Sequence, residues 1–309
     1  MLPMYKVLSK DTIEKEILPH LSVAKRGFKT KSCLTEIVNS ILYKLKTGVQ
    51  WEFLPVESLF SKVVLSYKTV FGHFRKWCKN GDWRNSWIQL LYEHKKELDL
   101  SSADIDGSHT PALRGGEEVA YQGRKSKKTT NALYLTDRRG IPLAISNPVA
   151  GNHHDLYNIE DSLEGLFTTL TLADIKIDGL FVNADAGFDS EEFRNICFKH
   201  GIFANVDFNI RNGDDNDDKL LDELLYKERY SIERTNAWLD SFRTLLNRFD
   251  TTVSSWKSFN YIAFMVILLK KLVKIKSQDD FIIKTCFFIN ETVFYISFFY
   301  FFNRTVRSG

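Results

Sequence analysis

Three acidic residues lie where carboxylates can do chemistry. Asp106 ends the run ADID before a glycine, and Asp185 ends the similar run FVNAD before an Ala-Gly pair. Glu233 lies in YKERYSIERTNAWLDSFR, where helical pitch aligns it along one side with Tyr226 and Arg229. Converging carboxylates repel one another unless cations bridge them, and hard oxygen ligands suit Mg²⁺ or Mn²⁺. We therefore predict a site for two divalent cations, which stabilise the attacking and leaving oxygens in phosphoryl transfer.

Two other acidic residues compete for the same roles. Asp104 lies on the same face of the predicted strand as Asp106, and Asp189 is a natural N-cap for the helix that follows it. Taken singly, Asp106 or Asp185 is typical of a turn or a cap, and Glu233 of a solvated helix. Spacing alone does not choose among these residues.

A basic cluster precedes the second predicted strand, on the sheet that carries Asp106. The run RKSKK holds four cations in five positions: Arg124, Lys125, Lys127 and Lys128. Such a run is usually a solvated loop, but beside a carboxylate site it suits phosphate groups. Both interpretations stay open, and the second predicts contact with a nucleic-acid backbone.

Other residues with metal-binding side chains favour structural roles. His153 and His154 are adjacent, so a regular element would point them in different directions, and we expect a loop or cap role. The acidic run 212–223 lacks the ligand register of a calcium loop and is predicted to be a solvated loop. Four cysteines lie far apart without a CxxC pair, which indicates reduced thiols: Cys33, Cys78, Cys197 and Cys286.

The elements that must carry these residues follow from a change in hydrophobic period. Residues 1–99 read as helices, with breaks at Gly48 and at Asn80-Gly81. Residues 100–275 hold five runs that read as strands, with helical patterns between the later ones: SADIDGSH, TTNALYLTD, IPLAISNPVAG, GLFVNADAGF and IFANVDF. The order predicts an all-helical N-terminal domain and a mixed five-stranded sheet flanked by helices. If the first and fourth strands are neighbours, their aspartates meet at one rim.

A helix over residues 226–243 is predicted to present Glu233 away from the core. Its apolar residues form a separate stripe that would seat the helix on the sheet: Ile232, Leu239, Phe242, Leu246 and Phe249.

Charge and hydropathy exclude several classes of protein. The 309 residues carry a net charge of only +3, so bulk charge alone does not indicate a nucleic-acid partner. Residues 1–18 have scattered charges and no continuous apolar core, so we expect no signal peptide and a cytoplasmic protein. In the Phe-rich run 281–302, Lys284, Asn290 and Glu291 interrupt the apolar stretch before the roughly 20 residues that a spanning helix needs. We expect no membrane partner.

Taken in order, these pieces resemble the DDE transposases of bacterial insertion sequences, most closely insertion-sequence group five. ILYKLKTGVQWEFLP and YKTVFGHFRKWCKNGDW resemble that group's N-terminal helical region, IDGSH its first catalytic strand and NADAGFDS its second. The segment with Tyr226, Arg229 and Glu233 resembles its third catalytic segment. The resemblance extends to about residue 272.

The resemblance implies a ribonuclease H-like fold in residues 100–275, with Asp106, Asp185 and Glu233 as catalytic residues and metal ligands. It implies DNA strand cleavage and strand transfer at the ends of an insertion sequence, with Tyr226 and Arg229 near the scissile phosphate. The implied partner is double-stranded DNA, as terminal inverted repeats and target, bound by a homo-oligomer assembled on it near the nucleoid. The helices of residues 1–99 would read the repeats or mediate pairing.

Two departures from the family leave alternatives open. Asp240 stands where the family signature often has a basic residue, a contact that Arg243 would have to supply. Residues 276–309 form an atypical Phe-rich tail that resembles nothing in the family. The alternatives are a ribonuclease H-like nuclease without joining activity and a catalytically dead DNA-binding protein derived from a transposase.

Overall fold

A computed structural model of the chain describes residues 4–23, 32–209 and 221–272. Residues Met1–Ile267 form one compact unit, and Leu268–Gly309 form a second, of which only 268–272 are described. The predicted Phe-rich tail and most of the predicted acidic loop therefore lie outside the described residues. The domain boundaries at residues 99 and 275 stay predictions.

The N-terminal part is helical, as predicted. After α1 (Lys10–Thr12), a π-helical turn and a 3₁₀ turn, it contains α2 (Leu34–Thr47), α3 (Val56–Leu59), α4 (Tyr67–Asn80) and α5 (Asp82–His94). Gly48 and Gly81 end α2 and α4 with φ of 70° and 74°. This left-handed conformation costs glycine little, which explains why both helices end at the predicted residues. The helices pack against the sheet that follows, for example where Trp87 Nε1 donates to Leu143 O at 3.0 Å.

The sheet is mixed and contains seven strands: β1 (Ala103–Pro111), β2 (Ala120–Gln122), β3 (Lys127–Asp137), β4 (Pro142–Ile145), β5 (Val149–Ala150), β6 (Phe181–Ala184) and β7 (Phe203–Val206). The order is β2-β3-β1-β6-β7, and β4 and β5 also pair with β3. Strand β1 runs antiparallel to β3 and parallel to β6, and β6 runs parallel to β7. The predicted fold class, a ribonuclease H-like mixed α/β sheet, is confirmed, although the sheet has seven strands where five were predicted. The first and fourth predicted strands are neighbours, which meets the condition for their aspartates to lie at one rim.

The strand predictions need three corrections. The third predicted run forms two strands, because Pro148 has no N–H for the ladder and Ser146 Oγ accepts from Leu133 N at 2.9 Å. The short strand β2 is an addition. Strand β1 does not end at Asp106 but continues beside β3 to Pro111.

The later helices are α6 (Ile159–Leu172), α7 (Glu191–Lys199), α8 (Glu223–Tyr226), α9 (Ser231–Asp240), α10 (Arg243–Leu246) and α11 over 253–272. Helix α6 contacts β4, α7 contacts β7, α8 contacts β6 and β7, and α9 contacts β1 and β3. Helices α8 and α9 therefore cover the strands that carry the predicted catalytic aspartates. Within the described ranges, none of the helices has the length and apolar character needed to cross a bilayer.

The continuous helix predicted over 226–243 is wrong, since turns separate α8 from α9 and α9 from α10. The first interruption coincides with side-chain bonds that draw the chain toward the sheet: Arg138 Nη2 donates to Glu228 Oε1 at 2.6 Å, and Ser231 Oγ donates to Asp104. The predicted apolar stripe is right for Ile232, Leu239 and Phe242, which are buried. It is wrong for Phe249, which is 50% exposed.

Candidate active site

The candidate site lies where β1 and β6 separate. Their parallel ladder ends at the pair Asp104–Asn183. Asp106 and Asp185 each follow that pair by two residues along the chain, so both lie just beyond the end of the ladder. Strand β1 continues there beside β3 alone. The two aspartates therefore occupy one rim of the sheet, at the point where its central strands diverge.

Both rim aspartates are partly exposed, and no cationic side chain forms an ion pair with either within the described residues. Asp106 Oδ1 accepts from its neighbour Gly107 N, and Asp185 Oδ1 accepts from Gly187 N, each at 2.8 Å. Burial, with smaller contributions from the negative charges of Asp185 and Asp155, raises the pKa of Asp106 to about 6. The carboxylates are therefore close enough to repel one another.

The competing residue Asp104 has a different environment. It is 1% exposed and accepts from Asn183 Nδ2 at 2.7 Å and from Ser231 Oγ. Its oxygens thus have partners from β6 and from α9. A carboxylate enclosed in this way is not available to a substrate, whereas Asp106 on the same face is.

Asp189 is also enclosed, and its predicted role as N-cap is wrong. It is 5% exposed, and its Oδ1 accepts from Arg194 Nη2 at 2.8 Å. Ser190 caps α7 instead, because its hydroxyl accepts from Phe193 N at 3.2 Å. Asp185, not Asp189, faces the rim.

Arg229 and Tyr226 lie beside the rim aspartates. The guanidinium of Arg229 lies 5.6 Å from the ring centroid of Tyr226 and lowers the pKa of Asp106, against the larger effect of burial. Burial raises the pKa of Tyr226; Arg229 opposes this shift, while Asp207 and Asp185 add to it. The positive charge of Arg229 therefore partly offsets the burial and the like charges at the rim.

Glu233 is not brought into this group. It is exposed in the first turn of α9. Ser231, two residues earlier, is buried against the sheet, and residues two apart on a helix do not face the same side. In the described part of the chain, the oxygens of Asp106, Asp185 and Glu233 do not all lie within 4.8 Å of one another. The role of Glu233 stays a prediction.

A different group of possible ligands lies on the N-terminal helices. Glu16, Glu93 and His94 have ligand atoms within 4.8 Å of one another. His94 Nε2 lies 3.4 Å from Glu16 Oε2, and His20 Nε2 lies 3.7 Å from Glu93 Oε1. These histidine–carboxylate pairs account for the group without an ion.

The basic cluster forms the tip of the β2–β3 hairpin. All four cations are exposed: Arg124, Lys125, Lys127 and Lys128. Burial lowers the pKa of His109, which lies three residues after Asp106 on β1, and Lys125 and Arg124 lower it further. The hairpin therefore extends along the strand that carries the rim. The predicted pair His153–His154 lies in a loop, as expected, with His153 stacked on Tyr157.

Asp155 reaches the rim and is absent from the sequence predictions. A Cβ built on Gly107 would lie 2.0 Å from Asp155 Oδ1, so Asp155 occupies the space that a side chain at position 107 would need. Asn131 Nδ2 donates to the same oxygen at 2.8 Å. The sequence signal is Gly107 itself, because a glycine inside a strand often marks the close approach of another segment.

Asp207 is a second residue that the sequence predictions miss. It follows Asn205 on β7 by two residues, as Asp185 follows Asn183 on β6. Because Asn183 and Asn205 are register partners, Asp207 continues the line of rim aspartates onto β7. The ladder register, which sequence does not give, is what aligns them.

The residues at the rim fit a divalent cation of the Mg²⁺ or Mn²⁺ type. The possible donors are the carboxylate oxygens of the described rim residues Asp106, Asp185, Asp155 and Asp207, and oxygen ligands are those that these ions prefer. The pKa of Asp106 is raised first by burial and then by the negative charges of Asp185 and Asp155, and a bound cation would offset both effects because it favours the ionised carboxylate. Asp106 and Asp185 are the residues that would hold it.

Two family models match the chain. The model described as "DDE superfamily endonuclease" matches residues 105–270, more than half of the 309-residue chain. The chain therefore belongs to the DDE superfamily endonucleases. A model described as "Putative transposase of IS4/5 family" matches residues 12–87, which confirms the resemblance to insertion-sequence transposases. A search of curated proteins found no match.

Among solved structures, the chain is similar to three complexes of one transposase. One is titled "Mos1 transposase paired-end complex with left transposon end" (13% identity, TM-score 0.26). The others are a "pre-cleavage Mos1 transpososome" (12%, 0.23) and a "Mos1 mariner paired end complex with Mn" (12%, 0.27). Each match covers 79% of this chain and 80% of the other. The family assignment rests on the family models.

Proposed function

We propose that this chain is a metal-dependent transposase that cuts DNA at the ends of its own insertion sequence and joins the freed 3′ hydroxyl to target DNA. The observation that carries the proposal is the pair Asp106 and Asp185, partly exposed at the end of the β1–β6 ladder with Arg229 beside them. It is supported by membership of the DDE superfamily endonucleases.

The chemistry consists of two phosphoryl transfers. In the first, a water oxygen bonds to the scissile phosphorus and the P–O3′ bond breaks, which leaves a 3′ hydroxyl and a 5′ phosphate. In the second, the 3′ oxygen bonds to a target phosphorus, and the target's own 3′ oxygen leaves. Divalent cations, when bound, stabilise the charge on the attacking and leaving oxygens. Asp106, Asp185 and Glu233 would hold them, and Arg229 with Tyr226 would orient the scissile strand.

Neutralising each carboxylate tests the proposal directly. Asp106→Asn and Asp185→Asn should lower the rate of Mg²⁺-dependent nicking by at least about 10³-fold, because the amide keeps the shape but not the metal-binding charge. Affinity for the same DNA should stay unchanged. Glu233→Gln should have the same effect if α9 turns Glu233 toward the rim on DNA. A nicking rate that survives Asp106→Asn would contradict the assignment.

Strand transfer separates this proposal from its alternatives. A DNA end that already carries a free 3′ hydroxyl, mixed with a supercoiled plasmid and Mg²⁺, should yield joined products only with a transposase. Nicking without joining would indicate a ribonuclease H-like nuclease. Binding without nicking would indicate a catalytically dead DNA-binding protein. The same gels, run after crosslinking, report whether the chain assembles as a homo-oligomer on DNA.

The basic hairpin is proposed to bind the DNA backbone. Neutralising Lys125, Lys127 and Lys128 together should reduce the slope of log affinity against log salt by about 2 to 3, since each phosphate contact contributes roughly 0.9. The loss should be similar for every DNA sequence. The matched control neutralises Lys176 and Lys199, which are exposed beside Asp178 and Glu160. An unchanged slope in the triple variant would leave the hairpin as an ordinary solvated loop.

A further inference from the structure

A row of buried polar side chains crosses the sheet directly beneath the rim. Asp104, Asn183 and Asn205 are register partners on β1, β6 and β7, and their side chains are 1%, 0% and 3% exposed. Central parallel strands usually bury apolar side chains, and burying a charge with two amides is costly unless every group has a partner. We call these three residues the inner row.

The inner row is continuously hydrogen-bonded. Asn183 Nδ2 donates to Asp104 Oδ1 at 2.7 Å, and Asn205 Nδ2 donates to Asn183 Oδ1 at 2.7 Å. At the β7 end, Asp222 N donates to Asn205 Oδ1 at 2.7 Å, and Asn205 Nδ2 donates to Asp222 O at 3.0 Å. At the β1 end, Ser231 Oγ donates to Asp104 Oδ2. The row therefore begins and ends on the helical segment above it.

The two anchors bracket the cationic part of the site. Asp222 is the N-cap of α8, and Ser231 is the first residue of α9. Tyr226 and Arg229 lie between them. The inner row thus fixes both ends of the segment that holds Arg229 beside the rim.

The same row sets the rim itself. Asp106, Asp185 and Asp207 each follow a member of the inner row by two residues along the chain. We call these three aspartates the outer row. On β1, Asp104 and Asp106 share a face because they are two residues apart on one strand. Asp185 and Asp207 come directly after the last residues of β6 and β7, so a shift of Asn183 against Asp104 would also displace Asp185 relative to Asp106.

We propose that Asp104 and Ser231, with Asn183 and Asn205, are positioning residues of the reaction: their bonds hold Arg229 and the start of α9 in register with the rim aspartates. The proposal rests on the proposed function and adds residues that do not touch the substrate. A misplacement of catalytic groups by about 1 Å costs roughly 10²-fold in rate. Hydrogen bonds that hold Arg229 and the rim aspartates in place would therefore increase the rate although they do not touch the substrate.

The test compares two buried hydroxyls on α9. Ser231→Ala removes the bond to Asp104, whereas Thr235→Ala removes a hydroxyl that donates to Gly140 O one turn later. Asp104→Asn is a second, isosteric variant in case Ser231→Ala unfolds. For each, three quantities are measured: urea unfolding, Mn²⁺ affinity without DNA by electron paramagnetic resonance, and the Mg²⁺ dependence of nicking.

We expect Ser231→Ala and Thr235→Ala to lose similar stability. Only Ser231→Ala and Asp104→Asn should weaken Mn²⁺ binding, by about 10-fold, and slow nicking by about 10- to 100-fold, with more Mg²⁺ restoring part of the rate. If Ser231→Ala matches Thr235→Ala in Mn²⁺ affinity and nicking while the wild type binds and cuts, the positioning role is wrong and the proposed function stands. A wild type that neither binds Mn²⁺ nor cuts would overturn both.

Discussion

The outer row and the inner row contain similar residues in opposite environments. Asp106 and Asp104 are two residues apart on one strand face. Among the described residues, Asp106 is partly exposed and accepts a hydrogen bond only from Gly107 N, whereas Asp104 is 1% exposed and bonded from two elements. Burial raises the pKa of both carboxyl groups, and hydrogen bonds from Ser231 and Asn183 oppose the shift only at Asp104. Under the proposed function, the carboxylates with fewer partners would bind the metal ion, and those with more partners would hold them in place.

Asp189 and Asp185 repeat the contrast after β6. Asp189 is bonded to Arg194 and to Asn209 N, while Asp185, within the part of the chain that the structure describes, accepts only from Gly187 N. The difference teaches that the number of hydrogen-bond partners, and not residue type or spacing, separates the enclosed aspartates from those at the rim. Each prediction below changes one side of this contrast.

The largest effect is expected from Asp189→Ala. The substitution leaves the guanidinium of Arg194, whose side chain is 20% exposed, without its carboxylate, and breaking such a buried pair costs about 3–5 kcal/mol. Urea unfolding measures the loss, with Glu191→Gln in the exposed first turn of α7 as the control. A loss no larger than that of the control would place Asp189 with the reactive carboxylates.

A smaller effect is expected from Mg²⁺ itself. Cations that bind only the folded rim stabilise it by about 2.7 kcal/mol at 100 times the dissociation constant. The midpoint temperature of thermal unfolding of the wild type should therefore rise more in MgCl₂ than in KCl of equal ionic strength. Asp106→Asn should abolish this difference, and Thr235→Ala should keep it. Equal responses to the two salts would mean that the rim does not bind the ion.

The smallest effect is a gain of stability in Asp106→Asn without metal. Because the folded-state pKa of Asp106 is about 6, above the ordinary 3.8, the folded chain binds this proton more tightly than the unfolded chain. The stabilisation of the folded state by this bound proton is fully present below about pH 4 and is lost as the pH rises through 6. At pH 7 in EDTA, Asp106→Asn should be more stable than the wild type by about 1–2 kcal/mol.

The pH dependence provides the control for this gain. The excess free energy of unfolding of Asp106→Asn over the wild type should decrease as the pH falls from 6 to 4, because the wild-type carboxyl becomes protonated. Chemical denaturation at several pH values measures both quantities. A variant that is less stable than the wild type at pH 7 would show that Asp106 is bonded like the inner row.

Helix ends and strand-forming runs, which depend on local sequence, were predicted correctly. Helices α2 and α4 end where Gly48 and Gly81 adopt positive φ, and the apolar runs after residue 100 form the sheet. The positions of Asp106 and Asp185 near one rim depend on the adjacency of β1 and β6, which the sequence left as a condition and the structure supplies. Hydrophobic period and glycine chemistry carry this information.

Features that depend on contacts between distant residues were missed. The break between α8 and α9 occurs where Ser231 donates to Asp104, 127 residues away. Helical periodicity in the sequence gives no information about a bond between such distant residues. The inner row and Asp207 depend on strand register, which a short strand does not specify by itself. Asp155 reaches the rim across the space left by Gly107, so no spacing links it to Asp106.

The contact between Gly107 and Asp155 has a consequence for how copies of a mobile element decay. An alanine at position 107 would bring a methyl group into the space of Asp155 Oδ1, and Asp155 would have to leave its bond with Asn131. The displaced charge would disturb the surroundings of Asp106, although every acidic residue remained in the sequence. A genomic copy can thus lose function through a single drift mutation at a glycine, so an intact set of acidic codons is not sufficient grounds for scoring a copy as active.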